Sequence, residues 1–227
     1  METPLTLSIV MPVLNEAAGV EPTLARLQAM RRRGVQIVVV DGGSSDDTVD
    51  RCRPFVDQVI TSPKGRARQM NAGAGAARGN VVLFLHADTL LAPQADLQVL
   101  NALHRGARWG RFDVAIEGTH WMLPVVAFMM NRRSRLTGIA TGDQAIFVQR
   151  TLFDQIGGFP DQALMEDIAL SARLRQIAAP ACLQLRAVTS GRRWESRGVW
   201  RTIVLMWQLR WRYWRGDSPE CLAERYR

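Results

Sequence analysis

The sequence predicts an α/β protein with a central, mostly parallel sheet flanked by helices. Three observations support this fold class. Continuous apolar runs of strand length recur in the first half of the chain, segments with helical spacing separate them, and polar residues follow several of the runs. The chain has 227 residues, of which 47% are hydrophobic, so it can bury the core of one domain.

The first half alternates predicted strands and helices. The strands are at Leu5–Leu14, Val35–Asp41, Gln58–Thr61 and Val81–Leu85. The helices are at Val20–Arg32, Ser45–Phe55, Arg66–Arg78 and Pro93–Arg105. The strands are expected to be buried on both faces because their apolar runs are almost uninterrupted. Strands and helices that alternate in this way form parallel sheets.

After about residue 106 the alternation breaks down. Arg111–Glu117 alternates like an antiparallel strand, and Asp167–Ile177 has the pattern of an amphipathic helix. Further elements are predicted at Ala145–Val148 (strand), Thr151–Ile156 (helix), Leu183–Val188 (strand) and Val199–Arg215 (helix). We expect one domain over residues 1–227, with a ligand-binding half at 1–106, a second half at 107–198 and a C-terminal segment at 199–227.

The chain carries a formal net charge of +8, and Lys64 is its only lysine. A basic excess implies an anionic partner, which is a nucleotide, a nucleic acid or a membrane surface. Cys52, Cys182 and Cys221 lie far apart, which predicts no zinc module or disulfide framework and fits a cytoplasmic protein. We expect no signal peptide and no membrane span, because no apolar run approaches about 18 residues.

Polar clusters follow three of the predicted strands at their carboxyl ends. The clusters are Asn15–Glu16, Asp41–Asp46 and His86–Asp88. In open α/β sheets ligands bind beyond the carboxyl ends of strands, so the clusters together predict one site at this edge of the sheet. Asn, Asp, Gly and Ser are also ordinary turn formers, and that alternative stays open for each cluster alone.

The charges in these segments point to a phosphate-bearing ligand. Asp88 emerges at the sheet edge, where a carboxylate can hold a hard cation and, through it, a diphosphate. His86 points the same way along an extended chain and is either a further ligand or a structural residue. Lys64, Arg66 and Arg68 lie at the start of a helix, where cations oppose the helix dipole unless an anion binds between them.

Acidic residues open the helix predicted near residue 167. Glu166 and Asp167 either complement the helix dipole or present a general base toward the same edge of the sheet. Adjacent helical residues point about 100° apart, so we expect only one of them to face the reacting atoms. The segment Gly73–Gly79 mimics a dinucleotide fingerprint but precedes a strand, so its small residues are interpreted as close helix–sheet packing.

In order and spacing, these motifs resemble the inverting family-2 glycosyltransferases, which have the GT-A fold, a Rossmann-like nucleotide-binding fold. The matching segments are Pro12–Glu16 (P-x-x-N-E), Val40–Ser44 (V-D-G-G-S), His86–Asp88 (for D-x-D), Gly157–Phe159 (G-G-F), Glu166–Asp167 (E-D) and Arg193–Trp194 (R-W). The resemblance covers about residues 5–195. The motifs L-H-A-D, G-D-Q, M-E-D and S-x-R-R-W are similar to a short soluble branch associated with arsenosugar biosynthesis.

The resemblance implies an enzyme that transfers a sugar from a nucleotide-diphosphate sugar to an acceptor hydroxyl with inversion. Asp167 would take the proton from that hydroxyl, and Asp88 would hold Mg²⁺ or Mn²⁺ on the diphosphate. Asp41 would contact the base or ribose, Asn15 and Glu16 the base, and Arg66 and Arg68 the diphosphate. The residues expected around the donor are Pro12, Asn15, Glu16, Asp41, Gly43, Ser44, Lys64, Arg66, Arg68, Asn71, His86, Ala87 and Asp88.

Two features depart from the family's pattern. His86 replaces the first Asp of D-x-D, and no histidine follows His120, so a distal histidine ligand is absent from the sequence. Arg192 and Arg193 could then neutralise part of the charge on the leaving diphosphate.

The acceptor is expected in the second half of the chain. Gly142, Asp143 and Gln144 bring a carboxylate and an amide near the predicted site, and Asp143 either binds a sugar hydroxyl or forms a turn. Arg193 and Trp194 are the other expected acceptor residues. The acceptor itself is left open as a small molecule or a lipid-linked compound.

Two segments are rich in large apolar residues and arginine. In the segment around Trp121–Met130, the large side chains are interpreted as core, with acceptor contact as the alternative; they are Trp121, Met122, Phe128, Met129 and Met130.

In the last helix, one stripe comprises Trp200, Val204, Trp207, Trp211 and Trp214. Residues 186–227 carry ten Arg and four acids, a net charge of +6. Residues 199–215 therefore suit peripheral binding at the inner face of the plasma membrane, and packing on the domain or a dimer contact are the alternatives.

Two other functions are compatible with parts of the sequence. A nucleotidyltransferase of related fold would need a Gly-rich, Arg-containing loop after the first strand, which residues 15–19 (NEAAG) do not provide. A non-catalytic nucleic-acid-binding protein would explain the basic C-terminal segment but not the acids at strand ends. We therefore expect no specific nucleic-acid partner.

Overall fold

The computed structural model describes residues 4–226, which form a mixed sheet of eight strands with helices on both faces. The elements of the first half are β1 (Leu7–Val13), α1 (Val20–Arg32), β2 (Gln36–Asp41), α2 (Thr48–Cys52), β3 (Gln58–Thr61), α3 (Arg66–Ala76), β4 (Val81–Phe84), β5 (Thr89–Leu90) and α4 (Ala95–His104). Those of the second half are β6 (Trp109–Glu117), α5 (Leu123–Thr137), β7 (Phe147–Gln149), α6 (Arg150–Gln155), α7 (Glu166–Ile177), β8 (Ala181–Ser190), α8 (Arg192–Arg197), α9 (Val199–Trp214) and α10 (Pro219–Tyr226). The predicted fold class is confirmed.

The strand order places three predicted polar clusters together. The order is β3-β2-β1-β4-β7-β6-β8-β5. β1 lies between β2 and β4 and is parallel to both, and β3 is parallel to β2. The carboxyl ends of β1, β2 and β4 therefore lie side by side at one edge of the sheet, as the sequence predicts.

The apolar run of β1 is uninterrupted because helices cover both faces of the sheet. Ile9 and Met11 belong to the core on the α1 side, whereas Val10 belongs to the core on the α3 side. A Cβ atom added to Gly73 of α3 would overlap the side chains of Val10 and Val40. The interpretation of the small residues in α3 as close helix–sheet packing is therefore confirmed.

The predicted antiparallel strand in the second half has two different neighbours. β6 is antiparallel to β7 through Trp109 and Gly110, but it is parallel to β8 from Gly110 to Glu117. The apolar/polar alternation of β6 reflects the covering of one face by α5 and does not report strand direction. The strand β5 and the helices α5, α8 and α10 were not predicted as elements.

The prediction that the large side chains around residue 125 form core is wrong for three of them. Trp121, Phe128 and Met129 are 69%, 60% and 53% exposed. Helix α5 buries Leu123, Ala127 and Ser134, at a spacing that turns Phe128 and Met129 toward solvent. Met122 and Met130 are partly buried against the core next to α5.

The Trp stripe of the last helix also faces outward, so its predicted alternative of packing on the domain is wrong. The exposed fractions of Trp207, Trp211 and Trp214 are 72%, 56% and 82%. Helix α9 instead buries Val199, Thr202 and Leu209. Across residues 4–226, no helix is both long and apolar enough to cross a membrane.

Candidate active site

Hydrogen bonds join the loops that follow β1 and β2. Asn15 donates its backbone N–H to Ser44 Oγ (2.9 Å), and its Oδ1 accepts the backbone N–H of Ser45 (2.8 Å). Asn15 has a φ of 54°, a left-handed conformation that Asn tolerates better than most residues. Because Ser44 and Ser45 serve this loop pairing, α2 begins at Thr48 and not at the predicted Ser45.

Asp41 ends β2 and closes the next loop around its own carboxylate. The residue is only 5% exposed and accepts hydrogen bonds from the N–H groups of Gly43 (3.0 Å) and Ser44 (3.1 Å) and from Ser44 Oγ (2.5 Å). Gly43 has a φ of +93°, which side chains rarely allow, so glycine lets this loop close. Pro12 is buried inside β1 beside Val40, so it shapes the strand end without reaching the loop surface.

Two carboxylates from neighbouring strand ends influence each other. Burial raises the pKa of Glu16, and the negative charge of Asp88 raises it further, while the charges of Arg192 and Arg66 oppose the rise. Asp88 is exposed, and its closest recorded side-chain partner is Thr89 Oγ1 at 3.5 Å. The pair concentrates negative charge where a divalent cation would relieve it.

The imidazole of His86 connects β4 to the turn at Gly142–Gln144. Its Nδ1 lies 3.5 Å from Asp143 Oδ1, and the ring packs against Gly142 so closely that a Cβ there would overlap it. Desolvation opposes the charge of Asp143, but the hydrogen bond and charge of His86, with the charge of Arg66, hold the pKa of Asp143 below its ordinary value. His86 thus has a structural partner in addition to its predicted metal role.

The acidic pair opens α7 directly after a residue in an unusual conformation. Met165 has a φ of 66°, and Glu166 is the first residue of the helix. Asp167 accepts the N–H of Gly142 at Oδ2 (2.7 Å) and that of Ile168 at Oδ1 (2.7 Å). Burial is the main cause that raises the pKa of both carboxyl groups; the charge of Asp167 adds to the rise at Glu166, whereas the two backbone hydrogen bonds oppose it at Asp167.

Both carboxyl groups line the same small cavity. Its lining residues are Met70, Phe84, His86, Gly142, Ile146, Phe159, Glu166 and Asp167. Both residues thus border one space, and the expectation that only one of them faces the reacting atoms stays a prediction. Glu166 has the longer side chain and begins the helix, so an angular offset of about 100° does not exclude it from the cavity.

Of the three cations at the start of α3, Arg66 is the one whose pKa the charges of the acidic pair raise, and it is itself an exposed residue. Desolvation opposes its charge, but Glu166, Tyr226 and other acidic groups raise the pKa of Arg66. The acids of α7 thus offset part of the unfavourable interaction between these cations and the helix dipole, which the sequence analysis expected a bound anion to offset. Lys64 is exposed.

Three other residues that were expected around the nucleotide-sugar donor make contacts within the protein. Arg68 pairs with Asp161 at 2.8 Å, and the two side chains are 53% and 63% exposed, so the structure directs Arg68 toward the surface. Asn71 donates to the carbonyl of Phe159 (2.8 Å) and accepts its N–H (2.9 Å), which fastens the Gly-Gly-Phe turn to α3. Ala87 is buried and its carbonyl accepts the hydroxyl of Thr23 (2.7 Å).

Two predicted acceptor residues also hold the fold. Gln144 is fully buried, and its amide bonds the backbone N–H of Thr141 (3.2 Å) and the side chain of Asn131 (3.3 Å). This burial corrects its predicted contact with the acceptor. Trp194 packs against the apolar cluster between β6 and α5, whereas the neighbouring Arg193 extends toward the site.

Sequence reasoning missed the contribution of the last helix. Tyr226 of α10 has the guanidinium carbon of Arg193 3.5 Å from its ring centroid. Its phenol also interacts with the charges of Arg66, Asp143 and Asp167. No local pattern around residue 226 signals this contact, because it depends on how α9 and α10 fold back over the domain.

The protein's own ligands for a metal ion are few. Within the described range 4–226, no group of three or more His, Cys, Asp or Glu side chains is arranged to hold a metal ion. The carboxylate of Asp88 nevertheless fits a hard cation, because it is exposed and lies next to the desolvated Glu16.

The sequence matches a family model and several named proteins. The model described as Glycosyl transferase family 2 matches residues 8–157. The chain is 27% identical over 237 residues to "Probable glycosyltransferase YdaM" of Bacillus subtilis (strain 168), covering 93% of this chain and 55% of the relative. It is 22% identical over 211 residues to "Poly-beta-1,6-N-acetyl-D-glucosamine synthase" of Staphylococcus aureus (strain COL), covering 82% of this chain and 51% of the relative. The chain thus spans about half the length of these two proteins.

Solved structures show the same fold. The mannosyltransferase PcManGT from Pyrobaculum calidifontis, in complex with GDP-Man and Mn²⁺, has a TM-score of 0.67 and 20% identity, covering 99% of this chain and 69% of that one. Glucosyl-3-phosphoglycerate synthase from Mycobacterium tuberculosis, in complex with Mn²⁺, UDP and glucosyl-3-phosphoglycerate, has a TM-score of 0.61 and 19% identity, covering 82% of this chain and 71% of that one. The expected GT-A fold is confirmed.

Proposed function

This chain belongs to glycosyl transferase family 2, and from that premise we propose that it transfers a sugar from a nucleotide-diphosphate sugar to an acceptor hydroxyl with inversion. The observation that carries the proposal is the cavity lined by Glu166 and Asp167, beside Arg66 and at the carboxyl ends of the parallel strands. Carboxylates and guanidinium groups at one edge supply both a proton acceptor and a counter-charge for a diphosphate.

The donor is proposed to lie along the ends of β1, β2 and β4. The loop Asp41–Ser44 and Asn15 would hold the base and ribose, since their hydrogen bonds already fix both loops. Arg66 would contact the diphosphate. The named neighbours that bind GDP-Man or UDP support a nucleotide donor for this fold.

The reaction is proposed as one in-line displacement. The acceptor oxygen forms a bond to the anomeric carbon while the bond from that carbon to the diphosphate oxygen breaks, which inverts the configuration. Asp167 takes the acceptor proton, and the nucleoside diphosphate leaves with its electron pair. Gly142 supports this role because its N–H fixes Asp167 Oδ2 at 2.7 Å.

A divalent cation, Mg²⁺ or Mn²⁺, is proposed as cofactor. Asp88 would hold it, with His86 as a second candidate, and oxygen atoms of the diphosphate and water would complete its coordination. When bound, the ion neutralises charge on the diphosphate. The negative charge shared by Glu16 and Asp88 supports this assignment.

The acceptor is proposed to approach over the second half of the chain. Asp143 is 40% exposed at its side chain and lies beside His86, so its carboxylate is available to a hydroxyl group. Membership in the branch associated with arsenosugar biosynthesis remains our proposal, based on the motifs L-H-A-D, G-D-Q, M-E-D and S-x-R-R-W.

A screen of nucleotide sugars tests the proposed function. We expect a UDP-, GDP- or dTDP-sugar to raise the melting temperature of the protein more in the presence of Mn²⁺ than in its absence. A ligand at 100 times its dissociation constant adds about 2.7 kcal/mol to the free energy of unfolding. The free sugars and the nucleoside monophosphates serve as controls. If no nucleotide sugar shifts the transition with or without metal, the proposal is wrong.

Peripheral binding to an anionic lipid bilayer at the inner face of the plasma membrane is the second part of the proposal. Helices α5 and α9 both expose large apolar side chains, and Trp121 and Trp200 meet where the helices adjoin, with ring centroids 6.4 Å apart. Over Leu123–Thr137 and Val199–Trp214 the two helices contain six arginines and no acidic residue. Helices that expose large apolar side chains and carry arginines without acidic residues complement anionic lipids.

Vesicle flotation tests this surface. We expect the protein to float with vesicles that contain phosphatidylglycerol. A triple variant should reduce the bound fraction at least about tenfold; it combines Trp207→Ser, Trp211→Ser and Trp214→Ser. Leu97→Ser with Ile177→Ser is the control, since these side chains are 51% and 39% exposed on other helices. The proposal would be contradicted if the Trp variant bound vesicles as well as the wild-type protein does. It would also be contradicted if the wild-type protein self-associated and did not bind vesicles. Deleting residues 199–227 is a poorer test because it also removes Tyr226 from the site.

A further inference from the structure

The C-terminal helix packs against the turn that carries the catalytic pair. Leu222 of α10 and Leu209 of α9 form a buried apolar cluster with Met165, and Ile168 and Tyr226 pack against the same cluster. Met165 and Ile168 directly flank Glu166 and Asp167 in the sequence. The last helix is therefore part of the wall that supports the candidate active site.

The end of this helix holds two arginines of α8. Arg193 and Arg197 each donate a hydrogen bond to the backbone carbonyl of Tyr226, both at 2.8 Å. The guanidinium group of Arg193 also stacks on the Tyr226 ring, with Cζ 3.5 Å from the ring centroid. This is within the distance at which a cation interacts with the face of an aromatic ring.

Arg193 needs such support because its surroundings oppose its charge. Desolvation lowers the pKa of Arg193, and the like charges of Arg197 and Arg66 lower it further. The charge of Asp143 raises this pKa in part, but a carboxylate bonded directly to the guanidinium group would occupy the N–H groups that a diphosphate needs. An aromatic face stabilises the cation from above the guanidinium plane, in which the five N–H donors lie. Within residues 4–226, only the hydrogen bond to the Tyr226 carbonyl then uses a donor, and the others stay available for a diphosphate.

We infer that Tyr226 is a positioning residue for the transfer reaction: its ring holds Arg193 in the orientation that neutralises the leaving diphosphate. The inference rests on the proposed function, because it assigns Arg193 to the diphosphate of the donor. It also makes the last residues of the described chain part of the active site, although they are far from the other site residues in sequence.

Kinetics of two substitutions test the inference. We expect Tyr226→Ala to lower kcat about 5- to 30-fold, which corresponds to the ~1–2 kcal/mol of a partly desolvated cation–π contact, with little change in donor KM. Tyr226→Phe keeps the ring and should restore most of the loss. Tyr213→Ala is the matched control, since Tyr213 packs in the same apolar cluster.

A double-mutant cycle identifies the partner through which Tyr226 acts. In the Arg193→Ala background, we expect Tyr226→Ala to cause little further loss, because the stacked group is already gone. Additive effects of the two substitutions would overturn the inference, and so would unchanged kinetics of Tyr226→Ala. A Tyr226→Phe variant as slow as Tyr226→Ala would also overturn it, since the hydroxyl and not the ring would then matter.

The contact can also be measured without any substrate. The chain has two tyrosines, so in a Tyr213→Phe background the ultraviolet titration of the phenol reports Tyr226 alone. Burial raises the pKa of Tyr226, the positive charges of Arg66 and Arg193 oppose the rise, and the charges of Asp143 and Asp167 add to it. We therefore expect Arg193→Ala to raise the pKa of Tyr226, and an unchanged titration would refute the contact. Because this readout needs no nucleotide sugar, its failure is distinguishable from failure of the proposed function.

Discussion

Asn in place of Asp167 is expected to lower turnover by at least about 10²-fold and to leave donor binding nearly intact, since a positioned general base contributes 10²–10⁴-fold. The substitution is almost isosteric and removes the proton-accepting oxygen while keeping the shape of the side chain. Asp167 is held by the N–H groups of Gly142 and Ile168, so the native carboxylate is already oriented. Steady-state kinetics with the donor identified in the nucleotide-sugar screen would measure the loss.

Glu166→Gln is the matched comparison because Glu166 lines the same cavity. We expect it to retain more activity than the Asp167 variant. Two backbone N–H groups orient the carboxylate of Asp167, and within residues 4–226 no such pair of donors orients that of Glu166. If only the Glu166 variant loses turnover, our assignment of the base is wrong. If neither variant does, the displacement mechanism itself is wrong.

The pH profile of the wild-type enzyme offers an internal check on the same assignment. A base must be deprotonated to act, so kcat/KM falls as the pH drops through its pKa. Burial raises the pKa of Asp167 above the ordinary value of an aspartate, which places the acidic limb of the profile at a higher pH than for an exposed carboxylate. The Asp167→Asn variant should lose this limb.

Asp88→Ala is expected to abolish metal-dependent binding of the donor while the fold survives. The exposed carboxylate follows a buried strand and makes few contacts that its loss would disrupt. Isothermal titration with Mn²⁺ and the donor would measure the change, and circular dichroism would confirm the fold. Asp161→Ala is a suitable control, because this carboxylate is 63% exposed and pairs with Arg68 on the surface. Unchanged Mn²⁺ and donor affinities in Asp88→Ala would contradict the proposed metal site.

Much of the first half was predictable from local pattern. The apolar runs at Leu5–Leu14, Val35–Asp41 and Val81–Leu85 predicted the strands β1, β2 and β4, and the polar residues after them predicted one edge of the sheet. A strand buried on both faces must be apolar throughout, and parallel strands bring their carboxyl ends together, so pattern and position are physically linked. The same link holds for Gly73, whose missing side chain permits the approach of α3 to β1.

The sequence alone also predicted which residue types the site contains, but not which of them are free to bind. Arg68, Asn71 and Gln144 carry suitable groups, yet each of them makes a hydrogen bond or ion pair within the protein. A motif specifies the chemistry of a side chain, whereas its partners depend on segments far away in sequence. For this reason the acidic pair raises the pKa of Arg66, whereas Arg68 pairs with Asp161.

The sequence by itself determined the α/β class, the succession of strands and helices in the first half and the concentration of acids and amides at the strand ends, because these depend on apolar runs and on helical spacing within short segments. Only the tertiary structure decided that the Trp stripe of α9 faces outward and that Tyr226 returns to Arg193. An amphipathic pattern shows that a helix has an apolar face, but it does not show whether protein, lipid or water will cover that face. Likewise, the stacking of Tyr226 on Arg193 depends on the packing of two helices against each other, which no local pattern encodes.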